Sequence, residues 1–590
     1  MAGPALVLLA AALATAPIVL HGGYCGDDLE FHAVSWFDVQ QSWLHGTFYP
    51  HWMPSANYGA GEPRFLFYPP LTWMVGAALG LVLPWSWVPV AMVFLLLAGT
   101  GLAVRALALE ALEDAPATLA GCAALFSGFA LFTAYERAAF AEMSGGFWIP
   151  LLLLFALRDR SPDGGLWRRA MDGSALPAAL LLAGCWLADG PVGVMASYLL
   201  AAVALTASVL RRSWAPLLRG SVAAVLGIGL TAFYLIPAAR EQSWIDLKAA
   251  IDLPVFNVEN NWIFSQHADP RLAPYAMVLE RASVLAASMI GVALAGWLVA
   301  WRRKALPSNR GWWIPLAVIP AVALFLQFPA SLPVWNLLPK MRFLQYPWRW
   351  NLVVEAPMGI LFAAAVWPGR RARRWQRAAV AAVCALAFVA ATAFAAKTFL
   401  RTADEGDTVA DLLAQYQDGG GLEGTDEYEP EGADHWKIAT RLPDACFSDD
   451  WNTALGVTDP GETIPHWHAE QGSCEAAASA RIRTPEHVRV AMVAPHEGYL
   501  ILRLLSYPAW RITVNGRVTE PADLRDDGLI AVPVEKGRVE LAVDWTTTPD
   551  VMAGRAVSGL ALALLIGLGW LERKTASLSK QHGGGGAENS

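Results

Sequence analysis

Two adjacent carboxylates and a histidine are the first groups in this chain that could do chemistry: Asp27, Asp28 and His32, in Gly26-Asp27-Asp28-Leu29-Glu30-Phe31-His32. They follow one short apolar segment and lead into Tyr49-Pro50-His51-Trp52 and then Phe65-Leu66-Phe67-Tyr68-Pro69-Pro70. If the segment is helical, Asp28 and His32 share a face, because residues four apart are neighbours there. A carboxylate held at a lipid–water boundary can act as general base toward a hydroxyl, or orient a bound cation. Asp27 rivals Asp28 for that role, and the two together are the residues that could ligate a divalent cation. The plainer reading is a solvated loop whose Asp caps a helix.

Further candidates lie along the chain. Tyr135-Glu136-Arg137 through Glu142 puts three charges into a short turn between apolar segments. They suit either substrate binding or a hydrated Glu–Arg pair, which is worth about 0–1 kcal/mol when exposed. Lys340-Met341-Arg342-Phe343-Leu344-Gln345-Tyr346-Pro347-Trp348-Arg349 sets cations in an aromatic frame. Arginine's planar fork suits phosphate, so Arg342 and Arg349 read as phosphate-binding residues, with Gln345 beside them as a substrate contact and general snorkelling to lipid phosphates as the alternative. Asp189 and Glu355 are carboxylates at or in apolar segments, where a charge is costly and has a task by default. Glu355 reads as a structural partner of a buried arginine. His466 and His468 lack a third ligand nearby and read as surface residues.

The elements that must hold these groups are membrane spans. The 590 residues are 55% hydrophobic and 16% charged, with mean hydropathy +0.38, against about 25% charged in soluble domains. About twelve segments reach the ~20 apolar residues that cross a bilayer: roughly 4–21, 86–106, 116–133, 145–157, 175–188, 192–210, 219–238, 282–300, 312–329, 351–367, 378–397 and 551–570. Arginine clusters at Arg158–Arg169, Arg211–Arg219, Arg302–Arg310, Arg370–Arg377 and Arg573-Lys574 favour the cytoplasmic side, which places the Asp27-Asp28 loop outside. Counting 69–84 as a span would reverse every later loop; its flanking prolines suit an interfacial helix.

The expected architecture is therefore an all-α polytopic membrane core over 1–397, an extracytoplasmic β-rich domain over 398–550, a last span at 551–571 and a disordered tail at 572–590. Alternating runs such as Val488–Val493 and Tyr499–Leu504, with Asn515-Gly516 between later strands, give the hairpin pattern of a small sandwich. Cys446 and Cys474 both fall in this stretch, where an oxidising compartment allows a disulfide. The net charge of −8 gathers there too. No basic tract interleaved with aromatics appears, so no nucleic-acid partner is expected.

Several of these segments resemble a known family. Gly26-x-Asp28-x-x-x-His32, Tyr49-Pro50, Gly59-x-Gly61-x-Pro63 and Phe67-Tyr68-Pro69-Pro70-Leu71 are similar to the opening of the pyruvoyl-tetrahydropterin-synthase-related bacterial membrane proteins and of the YfhO-type membrane glycosyltransferases. Leu235-Ile236-Pro237-Ala238 with Glu241, Leu344–Arg349 and Tyr507–Gly516 resemble further segments of these families. The resemblance implies a GT-C architecture and a polyprenyl-phosphate-linked sugar donor. It also implies transfer by inversion to an extracytoplasmic glycan or lipid, and a base in the first outer loop. Despite the family's wording, it implies no pterin chemistry. Asp189 stands where relatives are expected to carry His-Asn/Pro.

The expected site is then Asp28 or Asp27 as base, with His32, Tyr68, Glu136, Arg137, Glu142, Asp189, Arg342, Gln345 and Arg349 around the substrate, in a bacterial inner-membrane protein. No cofactor is demanded; a divalent cation is admitted. The main alternative is a transporter or flippase of lipid-linked glycans, which calls for polar residues at mid-membrane and pseudo-symmetric halves. A sensor built on the outer domain would leave Asp28 and Arg349 without a purpose.

Overall fold

The computed structural model describes residues 2–160, 165–246, 253–267, 269–369, 371–401, 406–438, 442–453, 475–476 and 482–583. His466, His468 and Cys474 lie outside them. Among the described residues, eight helices are long and apolar enough to cross a membrane, and eleven if each of three bent pairs counts as one span. Only helices satisfy the backbone of such apolar stretches without water. The bends have local causes. Ser127 caps a new helix by accepting from the Ala130 amide at 3.0 Å, and Pro329 starts the piece that turns 98° from Arg310–Leu326.

The shorter helix Ala175–Ala188 also runs through the core, with Ser174 at one end and Asp189 at the other. Adding it gives the dozen expected from hydropathy. Pro70–Gly80 is eleven residues long, about 16 Å at 1.5 Å per residue. That is too short to span, as its flanking prolines suggested.

One end of the bundle gathers the arginines. Arg219 is buried and donates to the carbonyls of Ala156, Arg158, Arg169 and Ala170 while pairing with Asp172 at 2.8 Å. Arg211 donates to Leu157, Arg158 and Gly311, and Arg303 to Ala365 and Trp367. Clusters far apart in sequence thus converge on one face, as the alternation required. The opposite face carries the first loop, the 133–143 turn, the 341–349 loop and the β-rich part.

That β-rich part is two antiparallel sheets. One orders its strands Glu475–Ala476, Ala445–Ser448, Gly498–Leu505, Leu529–Val534; the other orders Ile482–Thr484, His487–Ala494, Gly537–Trp545, Trp510–Val514, Arg517–Val518. Asn515 and Gly516 take φ of 51° and 79° in the tight hairpin between the last two, the left-handed pair that a two-residue I′ turn needs. The core between the sheets also takes in Trp52, Tyr58 and Ala60 of the first loop. Trp52 lies 5.1 Å from Trp510 and 5.9 Å from both Tyr507 and Trp545. A buried carboxylate, Glu241, accepts from Tyr507 and Thr548, each at 2.8 Å. The final helix runs Pro549–Gly583. Helix thus continues where a disordered tail was expected from 572, through a Leu-Glu-Arg-Lys run of good helix formers.

Candidate active site

Asp28 is placed by backbone, not by its side chain. Its amide donates to the Arg137 carbonyl at 2.8 Å, and the Asp27 amide to that of Glu136 at 3.3 Å. The acceptors belong to a π-turn over Thr133–Arg137 that ends on Ala138 with φ 51°, a distortion common at functional sites. Gly26 makes the approach feasible: a Cβ there would stand 2.7 Å from the Ala138 Cβ. The helix Leu29–Leu44 then starts directly after Asp28.

Around Asp28 the charges interlock. Arg137 lies 3.7 Å from the Asp28 carboxylate and 2.6 Å from Glu142. Glu142 also receives Arg349 Nε at 3.2 Å, all on its Oε2, while its buried Oε1 has no hydrogen-bond partner among the described residues. Arg349 Nη1 donates to the Leu344 carbonyl at 2.9 Å and to Gln345 Oε1 at 3.2 Å. Gln345 Nε2 in turn donates to Glu427 at 3.0 Å. Asp189 and Tyr68 close the group: each sits in the field of Asp28 and Arg349, and Tyr68 also in that of Asp189.

Although the Asp28 side chain keeps a partly exposed edge, loss of water around it is the largest influence and raises its pKa above the ordinary carboxylate range, opposed by Arg137 and then Arg349. Asp189, 6% exposed in the turn between two spans, is pushed up to about 7 by burial. An acid with a raised pKa is a better proton acceptor when ionised, which suits general-base chemistry near neutral pH.

The sequence candidates therefore divide. Asp28, Tyr68, Arg137, Glu142, Asp189, Gln345 and Arg349 come together. His32 stands behind them, 2% exposed and packed among Phe31, Trp36, Tyr68 and Phe140; burial lowers its pKa to about 3, so it sits there as a neutral ring. Asp27 and Glu136 turn to a neighbouring cluster, with Arg401 2.8 Å from Asp27 and 3.3 Å from Glu136, and Arg281 2.6 Å from Glu136. Arg342 pairs with Glu259 at 2.5 Å, apart from the group. Glu355 accepts from Ser127 at 3.0 Å. Among the described residues no arginine pairs with it, so the expected buried arginine partner is replaced by a serine hydroxyl. Asp27 and Asp28 face different arginines, and no group of three or more His, Cys, Asp or Glu among the described residues could hold a metal ion.

Glu427 is the site residue that sequence reasoning passed over. It belongs to Asp426-Glu427-Tyr428-Glu429-Pro430, an acid–aromatic–proline run much like the first loop, and that likeness was the available signal. Arg401, which holds Asp27 and Glu136, was passed over too, hidden at the end of a span.

A family model described as "6-pyruvoyl-tetrahydropterin synthase related domain; membrane protein" matches residues 65–400. The chain belongs to this family. The match spans more than half of the chain and includes Arg137, Glu142, Asp189 and Arg349; Asp28 precedes it and Glu427 follows it. Among solved structures, the chain is similar to ArnT from Cupriavidus metallidurans bound to undecaprenyl phosphate, at 14% identity and a TM-score of 0.29, covering 72% of this chain and 90% of that one. A search of curated proteins found no match.

Proposed function

We propose that this family member is a membrane glycosyltransferase of GT-C type, moving a sugar from a polyprenyl-phosphate donor to an extracytoplasmic hydroxyl. The observation that carries the proposal is a partly exposed carboxylate, Asp28, beside Arg137 at one end of a membrane bundle, with a second arginine, Arg349, tied to Arg137 through the Glu142 they share. A sugar on a lipid phosphate cannot leave the bilayer, so the groups that act on it must stand where spans end.

The acceptor oxygen attacks the anomeric carbon and gives its proton to Asp28. The bond from that carbon to the phosphate oxygen breaks, and its electron pair stays on the phosphate. Configuration inverts in this single displacement. The phosphate gains one negative charge as it departs, and fixed guanidinium groups aimed at developing charge need no reorganisation to stabilise it. Arg349 is the donor's phosphate contact on this reading, and Arg137 supports it from behind.

The test is turnover. Purified full-length protein in lipid nanodiscs, given radiolabelled decaprenyl-phosphate sugars and an envelope extract as acceptor source, is expected to release decaprenyl phosphate. Movement of intact lipid-linked sugar across vesicles without any release would favour the flippase reading instead.

A further inference from the structure

The segment 421–428, which comes from outside the membrane core, is fastened to the first loop residue by residue. The Leu422 amide donates to the Ser55 carbonyl at 2.8 Å, and the Tyr58 amide to that of Leu422 at 2.9 Å. Gly421 and Gly424 leave no room for a Cβ, which would stand 2.2 Å from the Gly59 nitrogen and 1.7 Å from Asn57 Oδ1. Thr425 gives both its amide and its hydroxyl to Glu62, at 3.0 and 3.1 Å, and Glu62 is held by Arg64 at 2.5 Å with both side chains buried. This anchoring is far stiffer than a tether needs, and it delivers two partly exposed side chains, Glu427 and Tyr428, to the edge of the site.

Their surroundings are chemically specific. Glu427 is one glutamine away from Arg349: Gln345 gives its amide nitrogen to Glu427 at 3.0 Å and its oxygen to Arg349 at 3.2 Å. Gln345 does this from a γ-turn with φ 59° and ψ −54°, closed by the Tyr346 amide on the Leu344 carbonyl. That conformation is rare and strained for a residue with a side chain. Tyr428 lies 6.3 Å from Phe67 with rings nearly parallel and 6.4 Å from Phe31; Phe31 in turn lies 4.7 Å from Tyr68. An ionised carboxylate only accepts hydrogen bonds, which suits the hydroxyls of a sugar, and an aromatic wall with a few placed polar groups is how small-ligand sites fix orientation.

We infer that Glu427 and Tyr428 form the sugar-contacting wall of the donor site, Glu427 accepting hydroxyls of the sugar and Tyr428 facing its ring. The inference rests on the glycosyl-transfer reading and deepens it. In a donor whose phosphate lies at Arg349, the group attached directly to that phosphate is the sugar, and Glu427 stands one amide away on the loop side. Glu142 has its Oε2 taken by both arginines and its remaining Oε1 buried, whereas Glu427 is partly exposed. The extramembrane segment is then a part of the donor site and not an appendage to it.

The test separates sugar from lipid phosphate. Full-length protein in nanodiscs is titrated with decaprenyl phosphate and with glucosyl, mannosyl, galactosyl and arabinosyl decaprenyl phosphates, following binding by thermophoresis. Wild type should bind at least one glycosylated lipid more tightly than decaprenyl phosphate. Glu427→Gln and Tyr428→Ala should each erase about tenfold of that preference, as expected for loss of a charge-assisted hydrogen bond or of a ring face, while leaving decaprenyl phosphate binding unchanged. Tyr428→Phe keeps the ring and should keep the preference; Arg349→Ala should weaken every lipid phosphate alike. If wild type shows the preference and Glu427→Gln and Tyr428→Ala retain it in full, the sugar wall is refuted and glycosyl transfer stands. If wild type shows no preference across the panel and no turnover, both fall together.

Discussion

Replacing Asp28 by Asn keeps the shape of the side chain and removes its ability to take a proton, so it isolates the base from the scaffold. The scaffold should survive. The Asp28 side chain is 40% exposed and 3.7 Å from Arg137, a loose pair worth about 0–1 kcal/mol. Arg137 keeps its closer partner, Glu142, at 2.6 Å. Asp28 itself is held by its amide on the Arg137 carbonyl, which the substitution leaves intact. The chemical step should suffer far more. A positioned general base contributes about 10²–10⁴-fold, or ~3–5 kcal/mol at 1.36 kcal/mol per tenfold. The assay is release of decaprenyl phosphate from the radiolabelled donor, beside binding of the same donor and a thermal melt. The expected pattern is turnover down at least about 100-fold, donor affinity within about twofold, and an unchanged melt. Asp27→Asn, which loses only the Arg401 pair, serves as control and should keep turnover. Near-normal turnover in a folded Asp28→Asn protein would remove this residue from the mechanism; collapse in Asp27→Asn alone would move the base to its neighbour.

Other perturbations probe the same construction. Gly26→Ala would put a methyl 2.7 Å from the Ala138 Cβ and push the Asp28 loop off the π-turn; a displacement near 1 Å typically costs about 100-fold in rate, and unchanged turnover would show that the docking is dispensable. Glu142→Gln leaves the buried Arg137 and the partly buried Arg349 without their shared carboxylate, expected to destabilise by up to about 3–5 kcal/mol; denaturant unfolding in bicelles within about 1 kcal/mol of wild type would contradict the pairing. With Asp28 as the proposed base, turnover should fall as pH drops through a pKa raised above the usual carboxylate value of about 3.9. Arg349 is one of the charges holding that pKa down, so Arg349→Gln should move the acid limb to higher pH; a limb that stays or moves lower would refute the coupling. Cys446 is buried in a strand of the outer sheets, and we propose a bridge to Cys474, worth roughly 3–4 kcal/mol in the chain-entropy account. Mass spectrometry without reductant should find both oxidised, and two free thiols would end that proposal.

How much of this was legible in the sequence depends on how local the signal was. Spans were legible because an apolar run of about 20 residues can do little else, and the arginine clusters were legible because lipid leaves them only the ends. Asn515-Gly516 announced its hairpin through two residues that tolerate positive φ. Asp28, Arg137, Glu142 and Arg349 could be suspected one at a time, as charges next to apolar segments. Their mutual arrangement could not, because it depends on how three separate segments pack at one end of the bundle. His32 shows the limit most clearly. Its helical spacing from Asp28 is real, but the helix turns that face into Trp36, Tyr68 and Phe140, and spacing along one helix says nothing about what covers it. Glu427 was missed for a related reason: an acid in an acidic stretch carries no mark until Thr425 and the two glycines seat it against the first loop.

Charge balance gives the arrangement a direction. Arg137 and Arg349 bring two positive charges, and Glu142 neutralises one of them. Without donor, Asp28 supplies the other negative charge, loosely and from 3.7 Å. A sugar phosphodiester carries one negative charge and would take over that balance at Arg349, leaving the Asp28 carboxylate with less compensation. Less compensation means greater proton affinity. On the proposed mechanism Asp28 thus becomes a stronger base when the donor is in place, and a weaker one when the site is empty, where a strongly basic carboxylate would rest protonated. As the glycosidic bond broke, the phosphate would gain its second charge and Asp28 would lose its own to the acceptor's proton, so the net charge of the site would stay constant through the step. In a low-dielectric setting at the end of a bundle, where uncompensated charge is most expensive, a reaction that moves charge from Asp28 to the phosphate without creating any has little electrostatic barrier to overcome. Two arginines tied to one glutamate, with a second carboxylate left loose, would permit that transfer whatever the ionisation of Asp189 and Glu427 beside them, because the charge of those two does not change in the step.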